Sequence, residues 1–417
     1  MRRQFWVIAH RWAGLTIALF LAVAGFTGIF LAFDDELEGL ISPRLFHVSA
    51  PSEGARLLAA TELRRRVLAR YPGGIIDRTP LHFERGRSVS FYVERIDPQS
   101  HAQVAWSRYW DQLFIDPYTG RELGHRKWGD IGQGAVNLMP FVYRLHYSLT
   151  LGLYGSLAFG VAALIWTFDS FVGFYLTLPV RVRRKVGAVP VGGSIALRNW
   201  GRRWQPSWLV RWSSSPYKIS FDLHRAGGLW IWPMLLVFAW SGVAFNLTPV
   251  YVPVMKMFGA SDMREQLVPL PMARFHPKLD FGAAVETGRR LAAREMARRH
   301  ILISDDGDSA LYHMPAAGIY IYRFTSTRDF TKDGGRTAVT FDSDTGALRR
   351  VDLPRGANGA NTFTNWIMAL HMAEVWGLPY RIAVSLIGAL VTMLSVTGVI
   401  IWMKKRSGRV SRKLRRS

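Results

Sequence analysis

Four histidines at repeated spacings are the residues of this chain best placed to do chemistry. His10 opens the run His10-Arg11-Trp12-Ala13-Gly14-Leu15, which returns as His224-Arg225-Ala226-Gly227-Gly228-Leu229, an offset of 214 residues. Leu145-His146 returns as Leu370-His371 at an offset of 225. Two imidazoles facing each other from two helices can supply both axial ligands of a b-type haem. Such a haem needs no Cys-x-x-Cys-His attachment, and the chain has no cysteine at all. Zinc is a rival occupant, but a structural zinc site wants four ligands and no carboxylate accompanies these histidines. A proton relay is another, because imidazole titrates near neutrality. It would more naturally include intramembrane carboxylates, and Asp169 alone qualifies, without a counterpart in the second half.

Arg11 and Arg225 follow the first pair directly, and Arg144 lies two residues before His146. A guanidinium matches a carboxylate bidentately, so these three are candidate partners of haem propionates; anchoring at the membrane face is the plainer reading. Gly14, Gly28, Gly228 and Gly242 would let a flat macrocycle or a second helix approach the backbone closely. Trp12, Trp166, Trp230, Trp232 and Trp240 are candidates to pack against such a macrocycle. The seven other histidines (47, 82, 101, 125, 276, 300 and 313) are unrepeated and read as solvated, with His125 and His313 the two that could touch a substrate.

The elements that must position the four histidines are membrane helices. Residues 15–33, 149–178, 229–247 and 382–403 are nearly free of charge, and each is long enough to cross about 30 Å of hydrocarbon at about 1.5 Å per residue. Met1-Arg2-Arg3 before the first stretch resembles a signal peptide. The stretch is too long for a signal core, however, and its pattern returns at 224–247, so it reads as a retained helix. The net charge of +23 is not a nucleic-acid signal. Nineteen positive charges sit in residues 2–3, 180–220 and 404–417, which contain no Asp or Glu. Lys/Arg bias in short loops fixes orientation, so both termini and the middle loop are expected in the cytoplasm of a bacterial inner membrane. A polybasic face also suits anionic lipid headgroups.

More positions repeat. Gly28 matches Gly242; Gly152-Leu153 matches Gly377-Leu378; Ser170 and Gly173 match Ser395 and Gly398. The turn Asp116-Pro117-Tyr118-Thr119-Gly120 is echoed by Asp342-Ser343-Asp344-Thr345-Gly346. The expected fold is therefore an all-α membrane core of four transmembrane helices in two parallel repeats, with a pseudo-twofold axis along the membrane normal and two external α+β modules. The helices are placed at 1–36, 144–180, 221–248 and 366–404. The periplasmic modules fall at 37–143 and 249–365, the basic cytoplasmic loop at 181–220 and the basic tail at 405–417. Helical spacing covers 61–71 and 283–299, and strands are expected at 89–93, 110–115, 319–324 and 338–341. The symmetry sets His10 opposite His224 in one leaflet and His146 opposite His371 in the other. His10 and Phe33 are 23 residues apart, about 35 Å of helix; breaks at Gly152–Gly155 and Gly377-Leu378-Pro379 could fold His146 or His371 back toward the membrane, which leaves a pairing that mixes the layers open as well.

The chain has no Gly-x-Gly-x-x-Gly after a strand, no Walker loop and no His-Glu-x-x-His. It shows no nicotinamide or flavin site of its own, so electrons would come from membrane quinol or a separate flavoprotein. In the order of His10–Leu15, Leu145-His146, Asp116–Gly120, His224-Arg225 and His371, the chain resembles the PepSY-associated transmembrane family, also described as iron-regulated membrane proteins, over essentially its whole length. That resemblance implies PepSY-like periplasmic modules, two haems and a resemblance to inner-membrane ferric-siderophore reductases of the ferrioxamine type. The implied reaction reduces Fe(III) in a siderophore, of hydroxamate type, on the periplasmic face and releases Fe(II). A fused flavin reductase domain found in some relatives is not seen here. The alternatives are a non-enzymatic sensor or inhibitor that binds a periplasmic peptide or protein, and a transporter of the siderophore.

Overall fold

Apolar stretches of this length fold as helices because a helix pairs its backbone groups within the segment, where lipid offers no partner. The computed structural model describes residues 2–97, 102–180, 193–261, 269–330 and 334–414. Helix α1 (Arg2–Leu31) runs unbroken. Helices α2 (Asp34–Ile41) and α3 (Pro43–Phe46) lead from it into a first polar segment of α4 (Ala60–Arg70), β1 (Arg78–Pro80), β2 (Val89–Tyr92), β3 (Glu94–Ile96), β4 (Gln103–Ala105), β5 (Gln112–Ile115) and β6 (Glu122–Arg126). The chain re-enters the helical core through α5 (Leu138–Ser148) and α6 (Gly152–Thr177). After α7 (Gly193–Trp204) come α8 (Pro216–Trp230), α9 (Trp232–Asn246) and α10 (Thr248–Met257). The second polar segment holds α11 (Phe281–Arg298), β7 (Ile303–Met314), β8 (Ile319–Ser326), β9 (Thr337–Asp342) and β10 (Leu348–Asp352); α12 (Gly359–His371) and α13 (Gly377–Leu414) end the described chain.

Among the described residues three helices are long and apolar enough to cross a membrane, within α1, α6 and α13, and α8 with α9 makes a fourth if that bent pair is one span. Large apolar side chains such as Leu19, Phe26, Leu153, Phe168 and Leu386 project outward from these helices, as lipid contact requires and water would not tolerate over so wide a surface. Backbones meet closely where small residues allow it. A Cβ on Gly25 of α1 would lie 2.7 Å from the Gly388 carbonyl oxygen of α13, and one on Gly242 of α9 would lie 3.0 Å from the Ala163 Cβ of α6.

The expected spans at 144–180, 221–248 and 366–404 are not single helices. Leu149, Thr150 and Gly152 all have positive φ (49°, 59° and 59°), which ends α5 and restarts the chain as α6. Ala373, Trp376 and Gly377 do the same between α12 and α13 (55°, 56° and 63°). The glycines fall where the sequence suggested breaks. The 221–248 span instead bends by 74° between α8 and α9. Pro233 sits in the first turn of α9, where its missing N–H and fixed φ start a helix rather than continue one.

The polar segments form a head. Helix α4 packs Leu63 and Val67 on β2 and β5 through Phe91, Leu113 and Ile115. Helix α11 packs Leu291 and Met296 on β8 and β9 through Tyr322, Phe324, Val339 and Phe341. The expected helices and strands coincide with α4, α11, β2, β5, β8 and β9. The expectation of one self-contained module per half needs correction. Strand β1 from the first segment joins the sheet of the second, in the order β1-β7-β8-β9-β10, with Thr79 opposite Leu311. The long β7 would otherwise expose an edge of unpaired backbone groups, which β1 covers.

Both Asp-x-x-Thr-Gly turns form alike. Asp116 accepts from the Tyr118 N–H (2.8 Å) and the Thr119 hydroxyl (2.7 Å), and Asp342 accepts from the Asp344 and Thr345 N–H groups (3.0 Å each). Gly120 and Gly346 close them with φ of 73° and 70°.

Candidate functional site

His10 on α1 and His224 on α8 face each other with ring centroids 6.1 Å apart, and His146 on α5 and His371 on α12 do so at 6.2 Å. The pairs are those the repeat specifies. Two metal–imidazole bonds of about 2 Å each, plus two ring half-widths, span roughly 6 Å, so each gap fits one bis-imidazole metal ion.

The tautomer of every ring is set by its neighbour. His10 Nδ1 lies 2.9 Å from Asp169 Oδ1, and His224 Nδ1 lies 2.9 Å from the Leu394 carbonyl oxygen. Neither a carboxylate nor a carbonyl can donate, so both rings carry the proton on Nδ1. Thr27 gives its hydroxyl hydrogen to the Val23 carbonyl (2.6 Å) and so accepts from His146 Nδ1 (2.9 Å). Ser241 likewise donates to Val237 (2.6 Å) and accepts from His371 Nδ1 (2.6 Å). Thr397 donates to Met393 (2.7 Å) and adds a second acceptor for His224 at 3.2 Å. In the neutral ring each Nε2 is then the lone-pair atom, and none of the four makes a hydrogen bond among the described residues. A ligating histidine ordinarily donates its other ring N–H in this way, which fixes ring orientation and tautomer.

Close backbone approach seats three of the rings. The Cβ positions of Gly173 and Gly398 would lie 3.3 Å from Cε1 of His10 and His224, and that of Gly28 would lie 3.4 Å from Cε1 of His146. Gly242 differs from its repeat mate, because it faces Ala163 rather than a histidine.

A cavity of about 490 Å³ holds the first pair. Its walls are largely apolar, with Ile17, Leu21, Trp166, Trp232 and Leu235 among them, and Arg3, Arg11, Arg225 and Lys405 also line it. Gly14 and Gly228, repeat-equivalent, line it without a side chain. Apolar walls, basic groups and two axial lone pairs together suit a haem. Among the described residues no three His, Asp or Glu converge as a metal cluster. Each pair brings two imidazoles together, so a metal ion held there would need further ligands from a bound group.

The remaining candidates divide. Arg225 lines the cavity while donating to Asp222 (3.0 Å) and to the Pro206 carbonyl (2.6 Å). Arg144 departs from expectation, because it donates to the Gly129 carbonyl (3.2 Å) in the head. Positive φ at Gly129 and its missing Cβ leave room for that side chain to lie over it. Trp166 and Trp232 reach the cavity, whereas Trp12 and Trp230 are mostly exposed on the helix surface and Trp240 packs on Tyr251. His313 is buried rather than solvated, stacked on Tyr320 at 4.8 Å, and burial with Arg64 nearby pushes it down to about 4. His125 is exposed beside Glu122, and His101 lies outside the described residues.

The separation of the pairs is shorter than the full helix suggested. His10 and Thr27 are seventeen residues apart on α1, about 25 Å. From Leu21, on the cavity wall, to Thr27 is six residues, about 9 Å, and Leu235 to Ser241 repeats that step on α9. Among curated proteins none matches the chain. Residues 7–405 match the model of the PepSY-associated TM region, nearly the full length of a chain with several membrane helices, and the chain belongs to that family.

Proposed function

We propose that this chain binds two b-type haems and carries electrons across a bacterial inner membrane to Fe(III) held by a siderophore, releasing Fe(II) for uptake. The observation that carries the reading is that four imidazoles, each held at Nδ1 by a hydrogen-bond partner, stand in two pairs with ring centroids 6.1 and 6.2 Å apart. A bound haem supplies a one-electron Fe(III)/Fe(II) couple at each pair.

His10 and His224 would hold the inner haem, and His146 and His371 the outer one, nearer the head. Arg11 and Arg225, which line the inner cavity, would meet carboxylate substituents, and Leu21, Trp166, Trp232 and Leu235 would keep water from it. The basic segments favour cytoplasmic termini and a periplasmic head. Quinol or a separate flavoprotein is the donor in this reading. The siderophore, of hydroxamate type, is the acceptor that the sequence resemblance favours, because such ligands hold Fe(II) far more weakly.

Purified protein tests this directly. Reducible Soret absorption with near two haems per chain, reoxidised on adding ferric hydroxamate siderophore, is the expected result. His146→Ala or His371→Ala should remove one haem's signal and leave the other. Colourless protein that haem cannot reconstitute would sink the reading, as would spectra unchanged in all four histidine variants.

A further inference from the structure

The Nδ1 partners of the four histidines are not equivalent. Leu394 offers a backbone carbonyl and Thr27 and Ser241 offer hydroxyls, all neutral, whereas Asp169 offers a carboxylate to His10 at 2.9 Å. Asp169 and Leu394 are repeat-equivalent, 225 residues apart, so the two halves part company at the atom that contacts the ligand. The Asp169 side chain is only 9% exposed, so water screens it little. A carboxylate that accepts the ring N–H makes the imidazole a stronger donor at Nε2, and hydrogen bonding and charge around an axial ligand are among the levers on a haem potential.

We infer that Asp169 is a positioning residue that makes His10 the most electron-rich of the four imidazoles and the inner site the lower in potential, so that electron flow from the inner pair to the outer pair is downhill. The inference rests on the two-haem reading. Arg3, Arg11, Arg225 and Lys405 line the same cavity and act in the opposite direction. Arg225 is already paired with buried Asp222, and Arg3 donates to the Leu176 carbonyl at 2.7 Å. Of these charged groups Asp169 alone bonds directly to one of the four rings, and the anionic carboxylates of a haem would offset cations in the cavity.

A redox titration of the haem-loaded protein in detergent tests this, followed by absorbance. Wild type should show two one-electron couples. His371→Ala, which strips the outer site, should retain the lower of them. Asp169→Asn keeps a hydrogen-bond acceptor without the charge and should raise that couple by about tenfold in its equilibrium, 59 mV, with the upper couple unmoved. Retention of the upper couple in His371→Ala would overturn the inference, and this holds even if Asp169→Asn fails to fold. Haem-loaded Asp169→Asn with an unshifted lower couple would also overturn it while leaving the two-haem reading intact. Protein that binds no haem would bring down both.

Discussion

Ser241 stands to His371 as Thr27 stands to His146: each hydroxyl accepts from the ring Nδ1 and passes its own hydrogen to the carbonyl one helical turn back. The two residues are 214 apart, the offset that relates His10 to His224. Removing the Ser241 hydroxyl leaves a buried ring N–H unpaired, and removing that of Thr27 leaves His146 only the Ala24 carbonyl, so the hold on the tautomer weakens in both. Thr27→Val and Ser241→Ala should therefore weaken haem retention at the outer site about 10- to 100-fold, as loss of such a partner usually does, and spare the inner site. Haem stoichiometry during dilution into apomyoglobin reports it. Undiminished retention at the outer site in both variants would show that the hydroxyls do not prepare it.

Gly155 is where α6 passes under the end of α5. An added Cβ there would lie 1.7 Å from the Ser148 carbonyl oxygen, a backbone atom that cannot swing aside. Gly155→Ala should push α5 off α6 and carry His146 with it, so the outer haem signal is lost or broadened while the inner one stays. Gly201→Ala in α7 is the control, because nothing lies within 4 Å of its Cβ position and it lines neither histidine pair. Equal spectra for the two variants would contradict the role assigned to this crossing.

The sequence was most informative where a feature repeats. The four histidines could be sorted into facing pairs because offsets of 214 and 225 and a charge map together fix which helix end each occupies. The glycines at 152 and 377 were also visible as breaks, since no other residue takes a positive φ at so little cost. What stayed hidden depends on contacts across the fold. Leu394 contributes a carbonyl, which carries no side-chain signature, and Arg144 turns to Gly129 for steric reasons that only the assembled head reveals. Strand β1 is three residues long and finds its partner in the other half, so no local pattern could place it. Thr27 and Ser241 did leave a signal, two hydroxyls at the repeat offset, but it becomes meaningful only once the histidines are seen beside them.

The absence of cysteine makes topology testable without background. Single cysteines at Ser52 and Ser304, both exposed in the head, should react with a membrane-impermeant thiol reagent in cells with a permeabilised outer membrane. A cysteine at Ser213, exposed between α7 and α8, should react only after the inner membrane is opened. The reverse pattern would invert the orientation drawn from the basic segments. Labelling of all three in sealed cells would remove the membrane crossing itself.

Asp34, at the start of α2 where the chain leaves the membrane helix, carries a stability cost that depends on pH. Burial first, then the neighbouring charges of Glu38 and Asp35, raise its carboxyl from 3.8 to about 7, against the pull of Arg126. One of its oxygens, Oδ1, is buried without a partner. The folded state thus holds this proton more tightly than the unfolded chain does. The stabilising effect of protonation is complete below the unfolded value and is lost as pH rises through about 7. Asn in this place stays neutral at every pH. Asp34→Asn should therefore change stability little at pH 3.5, help at pH 5.5 and help most at pH 8.5. The shift sets a ceiling of about 4 kcal/mol, of which solvent screening at a half-buried site leaves about 1–2 kcal/mol. Thermal unfolding in detergent across that range measures the trend. A gain that is the same at all three pH values, or a loss at pH 8.5, would show that the ionised carboxylate is not the source of the cost.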